Sequence, residues 1–271
     1  MNFVTATTQP AELKSADIRI EDVVLRYGKG PSSVLALNGI SFDVNHNEFC
    51  VIVGPSGCGK SSLLYLVAGL EDRTGGMVTV NGRHVSEPGA DRGMVFQSYT
   101  LFPWLNVSKN VEYGPKRKGM PASERRKIVD HYLAEVGLTK FANHYPSQLS
   151  GGMKQRVAIA RALANDPDVL LMDEPFGALD SQTRNAMQRL LLRVWDHSKK
   201  TVLFVTHDIE EAILLADRVI VMSGRPGQIK KEIGVDFERP RSMELVLEPA
   251  FISMKREILE LLKNDEDDEE H

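Results

Sequence analysis

The sequence predicts an α/β core of parallel strands covered by helices, joined to a small antiparallel sheet and a mostly helical insertion. Three observations carry that expectation. The runs Phe49 to Val53, Val169 to Met172, Val202 to Val205 and Val219 to Met222 are continuously apolar, as strands buried on both faces are. Helical stretches at 60–69, 153–164, 181–198 and 209–216 alternate with them, the order of an α/β core. Shorter runs, Ile18 to Tyr27 and Leu37 to Val44, alternate apolar and polar residues, as half-buried strands do.

In chain order, residues 1–16 are polar and aperiodic and read as a disordered end. A domain over 17–226 follows. Met77 to Val80 and Arg83 to Val85 flank Asn81-Gly82, a hairpin signal because both turn residues tolerate positive φ. The insertion spans about 98–148. Its helix runs from near Ala122 to Val136, with Ile128, Val129, Tyr132, Leu133 and Val136 on one side and Gly137 as the stop. A C-terminal extension covers 227–263, helical over Ala250 to Leu262, and 264–271 form an acidic tail expected to be disordered.

Composition narrows the function classes. With 42% hydrophobic and 26% charged residues, the chain can bury a sizeable core. No apolar run approaches the roughly 20 residues that a membrane-crossing helix needs. The first ten residues show neither a basic nor an apolar targeting region, so a soluble, cytoplasmic protein is expected. The net charge of −4 is set by six acids between Asp265 and His271. The near-neutral body left without them argues against a nucleic-acid partner. Two cysteines, Cys50 and Cys58, are too few for a disulfide framework or a zinc site.

Gly54-Pro-Ser-Gly-Cys-Gly59-Lys60-Ser61 follows the strand ending at Val53 and opens a helix. This is the phosphate-loop pattern G-x-x-x-x-G-K-[ST] in the context it requires. Its glycines let backbone N–H groups turn round an anion, and the helix N-terminus adds a positive dipole. Gly54, Pro55, Ser56, Gly57, Cys58, Gly59, Lys60, Ser61 and Ser62 are therefore the candidate nucleotide-binding set. Lys60 suits β and γ oxygens, and the Ser61 hydroxyl suits Mg²⁺, a hard ion that prefers oxygen. Loop dipoles are expected to activate the Cys58 thiol toward alkylation.

Asp173 and Glu174 follow the apolar strand Val169 to Met172, at the carboxyl edge where parallel sheets bind ligands. As neighbours on a strand they would point to opposite faces. Asp173 would serve the Mg²⁺ shell, and Glu174 would polarise an attacking water.

Leu149-Ser-Gly-Gly-Met-Lys-Gln155 resembles the signature sequence of ATP-binding cassette (ABC) ATPases. Further matches follow across roughly residues 18–225. Tyr27 resembles the aromatic that stacks on adenine, although by itself it could be a core residue. Gln97 resembles the Q-loop glutamine that joins the metal set. Phe176 to Asp180 resembles the D-loop, and His207 in Val205-Thr-His-Asp208 resembles the switch histidine that senses the γ-phosphate. One departure stands out: Met153 occupies the fifth signature position, usually Gln. The resemblance implies a P-loop NTPase fold with a RecA-like parallel sheet, ATP and Mg²⁺ as cofactors, and catalytic roles for Glu174, His207 and Gln97. It also implies that two copies meet head to tail, with Ser150, Gly151, Gly152 and Asp180 completing the partner's nucleotide site.

Gly93 to Val107, Asp173 to Asp180 and Met222 to Ile229 look like the nitrate, sulfonate and taurine importer group. That resemblance implies a separate transmembrane permease, a solute-binding protein acting indirectly, and a peripheral place on the cytoplasmic face of the inner membrane. The apolar loop Ser98 to Leu105 is either insertion core or the surface that receives a permease helix. A cassette ATPase acting on DNA or the ribosome is the rival, but a single cassette without a long coiled-coil insertion disfavours it. A non-hydrolysing subunit would not need both Glu174 and His207.

Overall fold

A computed structural model of the protein describes residues 16–263, so the expected disordered end and acidic tail lie outside the described residues apart from Ala16. β1 (Ala16–Tyr27) and β2 (Val34–Asn45) pair antiparallel, and β4 (Gly75–Val80) extends them to β5 (Arg83–His84) in a four-stranded sheet ordered β2-β1-β4-β5. Between these strands the chain makes β3 (Phe49–Val53) and α1 (Lys60–Ala68). β6 (Arg92–Val95), α2 (Val107–Arg117), α3 (Ala122–Glu135) and α4 (Gly151–Ala164) follow, then β7 (Val169–Asp173), α5 (Ser181–Ser198) and β8 (Thr201–Val205). The chain continues through α6 (Ile209–Leu215), β9 (Arg218–Met222), β10 (Ile229–Gly234) and α7 (Pro249–Lys263).

The main sheet has the order β10-β9-β3-β8-β7-β6, with all neighbours parallel except the β9–β10 pair. Its strands alternate strictly between two cores. Phe49, Val51 and Val53 face the core made with α4, α5 and α6, while Cys50 and Ile52 face the core made with α1 and the antiparallel sheet. Helices were expected on both faces, but the antiparallel sheet shares one of them with α1. Phe49 anchors the helical side by an edge contact with Trp195 at 5.7 Å and a tilted contact with Phe204 at 5.9 Å.

Three elements escaped the sequence reading. β6 is only four residues long and includes a glycine, too short for a period to register. α2 carries Pro115 inside it, a residue that usually interrupts helices. It is started by Asn106, whose side chain accepts from Lys109 N. β10 pairs with β9, so the boundary placed at 226 falls inside a strand connection and the chain beyond it completes the sheet edge. The helical layer likewise extends past 148, because α4 packs against α2 and α3.

Candidate active site

β3, β6, β7, β8 and β9 run parallel, so their carboxyl ends lie along one edge, and each is followed by a residue of the site. Residues from four of those edges, with Tyr27 and β2, surround a cleft of about 580 Å³. It is lined by Tyr27, Val34, Ala36, Ser56, Gly57, Gly59, Lys60, Ser61, Ser62, Gln97, Glu174 and Arg225. The phosphate loop supplies its floor. Gly57 and Gly59 have φ of 76° and 100°, left-handed values that a side chain resists. Lys60 is 5% exposed, and its ammonium donates to the carbonyls of Gly54 and Pro55 at 2.9 and 2.8 Å.

Ser61 Oγ donates to Asp173 Oδ1 at 2.8 Å, and the Tyr65 hydroxyl donates to Oδ2 at the same distance. Burial, and after it the bond to Asp173, pushes the Tyr65 phenol up to about 12, so it remains a donor throughout the neutral range. Tyr65 was missed by sequence reasoning, although it stands four residues after Ser61 and so on the same helix face.

Glu174 does not continue the strand. β7 ends at Asp173, and Glu174 turns out with φ 39°; this turn, not the strand pleat, separates the two carboxylates. Glu174 Oε2 lies 2.9 Å from His207 Nδ1, and Gln97 Nε2 approaches it at 3.5 Å, the outer limit for a hydrogen bond. Three strand ends thus meet at one carboxylate. Tyr27 is 41% exposed and donates to Ser62 Oγ at 3.0 Å, which excludes the core alternative and leaves its ring on the cleft wall.

Two expectations are corrected or separated by geometry. The Cys58 thiol is fully buried within the core shared with the antiparallel sheet, its sulfur 4.0 Å from the Lys60 ammonium; it is not an open alkylation site. Cys50 is equally buried, and burial raises its pKa. Ser150, Gly151, Gly152 and Asp180 do not line the cleft. Ser150 is the exposed N-cap of α4, its hydroxyl accepting from Met153 N at 3.3 Å. Gly152 packs so tightly that a Cβ there would stand 2.5 Å from the Thr183 methyl. Asp180 caps α5 by accepting from Thr183 N at 3.0 Å, and that backbone bond lowers its pKa.

Among the described residues no group of three or more His, Cys, Asp or Glu forms a metal cage. The donors present at the loop are the Ser61 hydroxyl, the Asp173 carboxylate and the Gln97 amide. They are hard oxygens that fit a cation such as Mg²⁺ when phosphate and water complete the shell.

A parallel sheet with a phosphate loop, paired carboxylates and a convergent histidine defines a nucleoside-triphosphate-binding protein equipped for hydrolysis. The ABC transporter profile matches residues 37–177. The chain is 49% identical to an uncharacterized ABC transporter ATP-binding protein of Methanocaldococcus jannaschii, the match covering 92% of each. It is 50% identical to the nitrate import ATP-binding protein NrtD of Synechocystis, over 88% of this chain and 91% of that one. It is 46% identical to the taurine import ATP-binding protein TauB of Jannaschia, over 90% and 93%. The dimeric post-hydrolysis structure of the cassette MJ0796 bound to ADP and Pi aligns with a TM-score of 0.72 and 36% identity, covering 82% of this chain and all of that one. This chain belongs to the ABC transporter family.

Proposed function

We propose that the chain is the energising subunit of an importer, hydrolysing ATP to drive uptake of a small anionic or zwitterionic solute through a separate permease. The solute is of the nitrate, sulfonate or taurine type, and a solute-binding protein delivers it outside. What supports the class of solute is the similarity to nitrate and taurine import ATP-binding proteins at 46–50% identity over nearly the whole chain. Among the described residues no helix is long and apolar enough to cross a membrane, in keeping with a subunit that docks on a permease from the cytoplasmic face.

The single observation that carries the mechanism is the meeting of Gln97, Glu174 and His207 above the phosphate loop. Tyr27 offers its ring to the adenine. Lys60 turns from the Gly54 and Pro55 carbonyls to the β and γ oxygens. Ser61, Asp173 and Gln97 would hold Mg²⁺, which when bound neutralises phosphate charge. Glu174 accepts the proton of the attacking water, and His207, bonded to it through Nδ1, holds the carboxylate and monitors the γ-phosphate. Phosphoryl transfer depends on such positioning more than on covalent chemistry. Exposed Ser150 at the start of α4, with Gly151 and the packed Gly152 behind it and Asp180 at the start of α5, lies away from this cleft and acts on the nucleotide of a second copy.

Glu174→Gln keeps the shape of the site and removes the base. Turnover of ATP should fall by at least about 100-fold, the range of general-base losses, while ATP binding persists and the closed dimer accumulates on gel filtration. Wild-type turnover in that variant would move the base elsewhere.

A further inference from the structure

Arg225 lies in the loop between β9 and β10, outside every element assigned to the reaction above. Its Nε donates to the Gly57 carbonyl at 2.8 Å. The guanidinium rests directly on the phosphate loop: a Cβ on Gly57 would stand 2.4 Å from Nη2. Gly57 is thus required twice, for its left-handed φ and for the space beneath Arg225. The same loop is wedged in place by Gly227, whose N–H donates to the Ala36 carbonyl at 2.9 Å and whose carbonyl accepts from Asn38 N at 3.0 Å. Arg225 is therefore carried by a short strand connection tied to both sheets.

We propose that Arg225 is an additional cation for the polyphosphate of the bound nucleotide. The charged residues lining the cleft are Lys60, Glu174 and Arg225. Glu174 is engaged by His207, and among the described residues no carboxylate forms an ion pair with Arg225. A nucleoside triphosphate brings a charge of about −4 into a cleft whose lysine is one positive group. Arginine suits the place for a geometric reason. Its planar fork can leave Nε–H on the Gly57 carbonyl while the terminal N–H groups face an anion held by the loop, a division that a lysine cannot make. The Gly57 bond places the charge on the phosphate loop itself, so the contact is to phosphate.

The proposal rests on ATP occupying this cleft, and the test separates the two. Equilibrium binding of MgATP and of AMP is measured with the full chain and its Arg225→Gln variant, with thermal unfolding followed in parallel. Glutamine is planar and polar but uncharged. The expected result is a weakening of MgATP binding by about tenfold, the scale of one charge-assisted hydrogen bond, with AMP affinity and melting temperature unchanged. MgATP affinity within threefold of wild type overturns the proposal. So does an equal loss for AMP, which would make Arg225 a brace for the loop. Failure of the wild-type chain to bind MgATP would instead bring down the reading of the cleft.

Discussion

Gln155 sits on the first turns of α4 with no exposed surface, and among the described residues neither its amide nitrogen nor its amide oxygen has a hydrogen-bond partner. An orphaned buried amide costs about 1–3 kcal/mol. Its neighbours in sequence are the signature residues Ser150 to Met153, and the side chain that replaces the usual signature glutamine, Met153, packs against the core. Replacing Gln155 by Met keeps the volume and removes both orphans. The variant should gain about 1 kcal/mol, raising the melting temperature by roughly 3 °C for a chain of this size. A drop in melting temperature would mean that the amide has a partner in solution. Glu174 carries a different local cost: a non-glycine residue at φ 39° costs on the order of 1 kcal/mol or more, and that backbone turn is what brings its carboxylate to His207 and Gln97.

At the scale of elements, the loop ahead of α2 is divided: Leu101 packs against the helical core, and its aromatic tip does not. Trp104 is 71% exposed and is therefore not insertion core. It stands 5.6 Å from Phe102, which in turn lies 4.5 Å from Tyr113 and under the Arg161 guanidinium. The loop is not loose. The buried Asn110 side chain accepts from Phe102 N and donates to the carbonyls of Phe102, Leu105 and Asn106. A rigid loop presenting an exposed tryptophan has the character of a binding hot spot. Trp104→Ala should leave stability within about 0.5 kcal/mol, as exposed substitutions do, and leave nucleotide binding intact while weakening co-purification with the permease. Loss of fold stability instead would return Trp104 to a packing role. The C-terminal elements show a similar economy. Arg241 is 8% exposed and donates to the carbonyls of Ile213, Leu214 and Ala216 at the end of α6, complementing its negative dipole end. Lys255 of α7 bonds Glu210 near the start of the same helix. The segment after the sheet thus grips the helix that follows His207 at both of its ends.

For the whole molecule, the decisive fact is which residues fail to meet. The phosphate loop, Asp173, Glu174, Gln97 and His207 converge on one sheet edge, while Ser150 and Asp180 cap helices outside the cleft. If each chain holds two halves of different sites, a Lys60→Ala chain and a Ser150→Arg chain, each inactive alone, should recover ATP turnover when mixed. One of the two sites in such a mixed pair has both its loop lysine and its facing serine intact. No recovery at any mixing ratio would remove the support for a shared site, and a Ser150→Arg chain fully active alone would confine hydrolysis to the single chain.

Much of this was legible beforehand because the signals are local. A phosphate loop declares itself through glycines whose φ values no other residue takes easily, and the buried parallel strands declare themselves as unbroken apolar runs. Ser61, Asp173, Glu174 and His207 were found because each sits at a strand end or helix start that the pattern marks. Arg225 and Tyr65 were not singled out, because they bond Gly57 and Asp173 from 168 and 108 positions away, and Arg241 reaches the end of α6 across as many as 28; such long-range contacts leave no local pattern. The sequence by itself determined the strand, loop and helix chemistry of nucleotide binding, since backbone conformation and burial are written in short stretches. Only the tertiary structure decided which side chains face the cleft, that Glu174 leaves its strand and that Cys58 is sealed, since those outcomes depend on how distant segments pack against one another.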